Sequence, residues 1–245
     1  MNLRQCLTVL LLITASGISC GQDATSEVVM LKAPVDVTDF ASLQRGAKLF
    51  MNECSGCHSL KYTRYDSLAK GIQITDESGK VLDKIVKDNL IFQDVPLASP
   101  IETAMRTQDG ANWFGVAPPD LTLEARYRGP DWIYNYLLTF YADPSRPWGV
   151  NNLVYPDVAM PHVLLELQGE QIQTPDGLKL NRPGSMTPEQ YRTAVVDLVN
   201  FLTFVSEPIQ TTRKEIGAWV LVFLGVFVVF SYLLKREYWK NVHKR

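Results

Sequence analysis

Apolar side chains recur at helical spacing in two stretches that bracket most of the chain. Phe40, Leu43, Ala47, Phe50 and Met51 fall on one helical face, and Thr38 or Asp39 stands where it can cap the helix they predict, which runs to about Asn52. Gly46, in the middle of that helix, costs it stability unless another helix must approach closely there. Tyr191, Ala194, Val195, Leu198, Leu202 and Val205 form the second stripe. Its start is written in Thr187-Pro188-Glu189-Gln190: Thr187 caps, Pro188 takes the first helical position, and Gln190 is placed to close a capping box. Pro208 ends it. Between these helices the pattern is broken by eleven prolines from Pro96 to Pro183. Asp131 to Tyr141 predicts a short helix with Trp132, Ile133, Tyr136, Leu137 and Phe140 on its buried side. Asp76-Glu77-Ser78-Gly79 reads as a turn, and residues 167–183 as a hairpin-like excursion.

Two further apolar runs lie at the ends. Ile216 to Leu234 is 19 residues without a charge, a helix of about 30 Å, which matches the hydrocarbon thickness of a bilayer. It has no polar face, which argues against a buried core helix. Trp219, Tyr232, Tyr238 and Trp239 stand where interfacial aromatics stand. The tail that follows, with Lys235, Arg236, Lys240, Lys244 and Arg245 against Glu237, carries a net +4 and predicts a cytoplasmic C-terminus. At the other end, Arg4, the short apolar stretch Leu7 to Ile13 and the small residues Ala15, Ser16 and Gly17 read as a secretory signal. Gly17-Ile18-Ser19-Cys20 resembles a lipoprotein cleavage site only faintly. The expected division is a signal peptide over 1–21, an exported domain over 22–212, a transmembrane anchor over 213–235 and a basic cytoplasmic tail over 236–245.

Charge changes this picture in one respect. The whole chain is nearly balanced at −2, but residues 22–212 hold sixteen Lys and Arg against twenty-four Asp and Glu, a net −8. That argues against nucleic acid. It suits a basic protein partner, because complementary fields raise association rates, although the ordinary solubility charge of a soluble domain explains it equally well.

The candidate chemistry is concentrated in Cys54-Ser55-Gly56-Cys57-His58. A C-x-x-C-H run is the attachment signature of a c-type haem: two thiols form thioethers to the vinyl groups, and the adjoining imidazole reaches the iron. A thiol redox pair would need a βαβ context, and a zinc site two more ligands. Cys6 and Cys20 fall in the signal segment, and His162 and His243 fall on opposite sides of the membrane in the expected topology. Cys54 and Cys57 are therefore the only cysteines of the exported domain, and no structural disulfide is available to it. The sixth iron position has Met160, His162, Met51, Met105 and Met186 as candidates. Met51 lies on the helix leading into the motif and Met186 beside a helix cap. Met160, in Val158-Ala159-Met160-Pro161, lies far enough along the chain to wrap to the other haem face. His162 is its serious competitor. A thioether favours ferrous iron and raises the potential, and a six-coordinate iron has no vacancy for oxygen or peroxide. These features predict a mainly α, cytochrome c-like haem domain with long proline-rich loops and one C-terminal transmembrane helix.

The chain resembles cytochrome c1, the haem-c subunit of quinol–cytochrome c oxidoreductase (the cytochrome bc complex), over nearly the whole exported domain and the anchor. The resemblance rests on Arg45-Gly46-Ala47 before the haem motif, and on Ser59-Leu60 and Tyr62-Thr63-Arg64-Tyr65 after it. It rests also on Ala117-Pro118-Pro119-Asp120-Leu121-Thr122 with Arg126 and Arg128, on Ala159-Met160-Pro161, and on Glu207-Pro208 before the single span. It implies one covalent haem c held by Cys54, Cys57, His58 and Met160, with His58 and Met160 on the iron. It implies that Arg126 or Arg128 approaches a haem propionate, which surface ion pairs would explain just as well. It implies a bacterial inner-membrane protein with its haem domain in the periplasm, partnered by cytochrome b and a Rieske iron–sulfur protein. Single electrons would pass from the Rieske centre to a soluble cytochrome c, with no catalysis at the haem itself. The segment between Tyr65 and Pro118 is short for the family and lacks the paired cysteines of some members. Three other readings remain distinct: a free membrane-tethered cytochrome c serving a terminal oxidase, a haem enzyme or gas sensor with an open iron position, and a haem-free assembly protein. The first needs a long linker, which the stretch after Pro208 does not supply.

Overall fold

A computed structural model of the chain describes residues 29–240. The expected signal segment, His243 and the last basic residues lie outside the described residues. Helix α1 (Phe40–Glu53) starts where the sequence places it: Asp39 is the cap, and its carboxylate accepts the Ser42 N–H at 3.0 Å. Helix α8 (Pro188–Ser206) carries the full capping box, with the Gln190 N–H donating to Thr187 Oγ1 and the Thr187 N–H donating to Gln190 Oε1. These two helices form the spine of the domain. Leu43, Ala47, Phe50, Val195, Leu198 and Phe201 are almost wholly buried, each large apolar side chain contributing about 1.5–3 kcal/mol by leaving water. The rings of Phe50 and Phe201 lie 5.6 Å apart.

Gly46 is what lets the helices meet. A Cβ on it would stand 2.0 Å from the Asp197 carbonyl oxygen, so only glycine fits. A buried polar network surrounds the crossing. Asp197 accepts from Ser42 Oγ at 2.6 Å and from the Arg45 guanidinium at 2.7 and 2.8 Å, while Asn200 donates to Ser42 Oγ at 2.7 Å. Its carboxylate pushes the Arg45 pKa up.

The chain between the spine helices is a series of short elements: β1 (Leu60–Arg64), α2 (Tyr65–Gly71), α3 (Asp83–Leu90), β2 (Pro100–Ile101), α4 (Thr107–Phe114), α5 (Glu124–Tyr127), α6 (Pro130–Leu138), β3 (Phe140–Ala142), β4 (Val150–Asn152), α7 (Leu165–Gln168), β5 (Gly169–Thr174) and β6 (Gly177–Pro183). The strands pair antiparallel as β1–β2, β3–β4 and β5–β6. The β5–β6 hairpin is the expected excursion. The expected turn at 76–79 closes with the Gly79 N–H on the Asp76 carbonyl at 3.0 Å. About half of the described residues are helical, which fits the mainly α expectation.

One expectation needs correcting. The helix expected over Asp131–Tyr141 stops at Leu138, because Phe140, Tyr141 and Ala142 pair with Asn152, Asn151 and Val150 instead. Trp132 and Tyr136 on it are half-buried rather than buried. The anchor helix α9 spans Gln210–Trp239, beginning well before the apolar run, so three residues separate it from the end of α8. Its 30 residues are long and apolar enough to cross a membrane.

Candidate functional site

Helix α1 delivers the chain into the haem motif. Its last carbonyls are capped by the motif itself: Cys54 and Ser55 N–H both donate to Phe50 O at 2.9 Å, and Ser55 Oγ donates to Met51 O at 2.7 Å. The motif then folds back, with Cys57 and His58 N–H on the Cys54 carbonyl at 3.1 and 2.9 Å. This turn brings both thiols and the imidazole to one side of the helix end.

The Pro118-Pro119-Asp120-Leu121-Thr122 stretch lies against the motif. His58 Nδ1 is 2.8 Å from Pro119 O, the Leu121 N–H donates to Ser59 O at 2.9 Å, and Asp120 accepts the Lys61 and Thr122 N–H groups at 2.8 and 2.9 Å. A carbonyl only accepts, so His58 Nδ1 must carry the proton. Its Nε2 is left with a free lone pair, the form that binds a metal. Burial lowers the His58 pKa against the opposing pull of that carbonyl, which keeps the ring neutral. Burial also pushes the Cys54 thiol up to about 12, helped by Glu53 and Cys57, and raises that of Cys57.

Cys54, Cys57, His58 and Met160 line one mainly apolar cleft of about 90 Å3, with Phe114, Val116, Pro118, Pro119, Pro161 and Val163. A covalent haem fits this donor set: paired thiols separated by two residues, a neutral imidazole with its Nε2 free, a thioether, and mainly apolar walls. Among the described residues, no three His, Cys, Asp or Glu side chains converge to hold a metal ion, so the two thiols lack the further ligands of a zinc site. A larger cleft of about 490 Å3 lies between Tyr62, Leu68, Gly71, Phe204 and Pro208; it has no thiol, imidazole or thioether and carries no comparable chemistry.

The other candidates for the iron separate clearly. Met51 is buried in the spine. Met105 lies beside Gly110, and Met186 packs against the core. His162 does not line the cleft; its ring stacks on Phe140 at 4.7 Å and 4°. Its Nε2 is buried without a hydrogen-bond partner, and burial lowers its pKa to about 4, so it is neutral. Arg126 pairs with Glu207 at 3.1 Å, and Arg128 pairs with Glu124 at 2.5 Å while lying 4.2 Å over the Trp132 ring. Both arginines are thus engaged by carboxylates.

Two contributors escaped the sequence reading. The Pro119 carbonyl carries no side-chain signal, and only the adjacent prolines hinted at a fixed backbone. Tyr136 donates to Met160 Sδ at 3.3 Å; its signal was the spacing of four in Arg128, Trp132, Tyr136 and Phe140. Burial raises the Tyr136 pKa.

A model of the family described as the Cytochrome C1 family matches residues 30–242. A cytochrome c1 of Allochromatium vinosum is 48% identical over 223 residues, 86% of this chain and 88% of the relative. A Nitrosomonas europaea protein named as an ammonia monooxygenase gamma subunit is 44% identical over 219 residues, 89% of this chain and 90% of the relative. Among solved structures, a chain of a hyperthermophilic respiratory complex III matches with a TM-score of 0.51 at 20% identity, covering 99% of this chain and 95% of its own. At that identity the likeness speaks for the fold alone.

Proposed function

This chain belongs to the cytochrome c1 family, and from that premise we propose that it passes single electrons from a Rieske iron–sulfur centre to a soluble cytochrome c. At the coarser level it is a haem subunit of a respiratory cytochrome bc complex, an electron-transfer protein with one covalent haem c and one candidate membrane-anchoring helix.

The proposed ligand set is Cys54 and Cys57 in thioethers, His58 through Nε2 and Met160 through Sδ. The observation that carries it is their convergence in one apolar cleft with His58 Nδ1 fixed on Pro119 O. When bound, the haem supplies an iron that gains and loses one electron at a time. Pro119 O holds the imidazole in the ligating tautomer. Phe114, Val116 and Val163 give the site apolar walls. The Met160 thioether would be the side chain to hold the iron opposite His58, and as a ligand it would favour the ferrous state. A Met160→Leu variant is expected to lose potential and gain carbon monoxide binding; an unchanged potential removes Met160 from the site.

The topology is proposed as before: a signal over 1–21, a periplasmic haem domain over 22–212, an anchor over 213–235 packed on cytochrome b, and a cytoplasmic basic tail over 236–245. The three-residue connection between α8 and α9 supports a fixed subunit over a tethered shuttle, which needs a long linker. Gentle detergent extraction through a C-terminal tag tests the assignment. Stoichiometric haem b and a Rieske-type paramagnetic signal are expected in the purified fraction. The chain arriving alone, from membranes whose quinol oxidoreductase stays intact, would overturn it in favour of the shuttle.

A further inference from the structure

We propose that Tyr136 is a positioning and tuning residue for the haem iron, its hydroxyl donating a hydrogen bond to the Met160 sulfur. The proposal rests on Met160 being the sixth ligand. A thioether sulfur has two lone pairs; one serves the iron and the other is free to accept. The Tyr136 hydroxyl lies 3.3 Å from Met160 Sδ, the separation of a hydrogen bond to sulfur.

The phenol is held there by a column of rings. Trp132, one turn earlier on α6, stacks on Tyr136 at 5.0 Å and 11°. Phe140, just past the helix, meets it edge-on at 5.1 Å and 72°. Aromatic pairs at these separations attract each other beyond the area they bury. The far end of the column is closed by the Arg128 guanidinium over Trp132, itself held by Glu124. The hydroxyl is therefore aimed by stacking rather than by another polar partner.

The direction of the effect follows from the sulfur. A donor on its second lone pair withdraws electron density, and a poorer donor disfavours ferric iron more than ferrous iron. The hydrogen bond thus raises the potential above what Met160 alone would give, and it restricts the sulfur to one orientation toward the metal.

Tyr136→Phe tests this, because it removes one oxygen and keeps the ring stack. A neutral hydrogen bond contributes about 0.5–1.5 kcal/mol net. Its loss from one oxidation state is expected to shift the ferric–ferrous equilibrium roughly three- to tenfold toward ferric, or about 30–60 mV at 59 mV per decade. The readouts are the midpoint potential and the sulfur-to-iron charge-transfer band of the ferric haem-loaded chain. A lower potential with the band retained but shifted supports the proposal. An unchanged potential and band, with the wild-type band present, overturns it and leaves Tyr136 as packing. Absence of that band from the wild type overturns the Met160 assignment instead. Tyr136→Leu separates the roles further: it removes ring and hydroxyl together, and a potential equal to that of Tyr136→Phe assigns the whole effect to the hydroxyl. A potential that moves only in Tyr136→Leu overturns the hydrogen-bond role.

Discussion

Replacing Gly46 with alanine sets two effects of opposite sign against each other. In an isolated helix alanine is better than glycine by about 1 kcal/mol. In this protein a Cβ at residue 46 would stand 2.0 Å from Asp197 O, 2.6 Å from Asp197 C and 2.7 Å from Phe201 Cβ. Ordinary contact begins near 3.4 Å, so α1 and α8 would have to part locally by roughly 1.4 Å in an interior that is already close-packed. The obstacle is helix backbone, which cannot swing aside as the end of a side chain can. Overpacking of this kind costs about 1–3 kcal/mol and occasionally more. Parting the helices also stretches the 2.6 Å Ser42–Asp197 bond and the 2.7 Å Asn200–Ser42 bond, and a buried polar group left unsatisfied costs about 1–3 kcal/mol. With the propensity gain set against these losses, the expected destabilisation is about 2–4 kcal/mol. Chemical unfolding of the haem-loaded full chain in detergent measures it. Lys48→Ala, exposed on the same helix, is the control and should stay within about 0.5 kcal/mol of the parent. A Gly46→Ala protein as stable as the parent, or about 1 kcal/mol more stable as propensity alone would have it, would refute the close approach.

Two further outcomes are expected. Asp197→Ala leaves Ser42 Oγ and the Arg45 guanidinium without their acceptor at the crossing and should cost about 2–3 kcal/mol, measured by the same unfolding; combined with Gly46→Ala it should cost less than the sum, since both act on one crossing, and full additivity would show the two sites to be independent. The Glu207 carboxyl, which accepts from Arg213 and also faces Arg126, is held below its ordinary 4.5. A lowered pKa stabilises the fold above the ordinary carboxylate range and stops doing so as pH falls through that range toward the folded value. Protease cleavage near residues 207–210 should therefore rise on acidification in the parent. In Glu207→Gln it should already be high at neutral pH and flat across the range; a parent profile identical to that of the variant would sink the argument.

What could be read from the sequence was whatever local chemistry decides. Asp39 and Thr187 are caps because short polar side chains satisfy orphan N–H groups wherever a helix starts, and both helices begin there. The haem motif declared its own chemistry, and Met160 fell in its cleft while His162 did not. Gly46 posed its question in the sequence, but the answer, a carbonyl of Asp197, comes from a residue on the other spine helix. The failures share one cause. Phe140 leaves the helical register because Asn152 is there to pair with, and nothing near Phe140 announces that. Tyr136 reads as one more apolar position until Met160 is brought beside it. The grip of Asp120 on Lys61 and Thr122 is half local and half distant; only the local half, an Asx-type turn to Thr122, leaves a trace in the sequence.

The joint of Glu207, Pro208 and Ile209 has a mechanical consequence. Helix α9 and helix α8 are two rods joined by a link too short to absorb motion, and α8 lies directly against α1, whose end carries the haem motif. A change in bilayer thickness alters the tilt of a spanning helix, and that tilt is applied as torque at the link. The α1–α8 contact is packed backbone to backbone at Gly46 and does not yield. The Glu207 clasp is made of two arginine side chains, each more than half exposed. Arg126 on α5 and Arg213 on α9 meet at Glu207, so a tilt of α9 would load these ion pairs before it loaded the α1–α8 crossing.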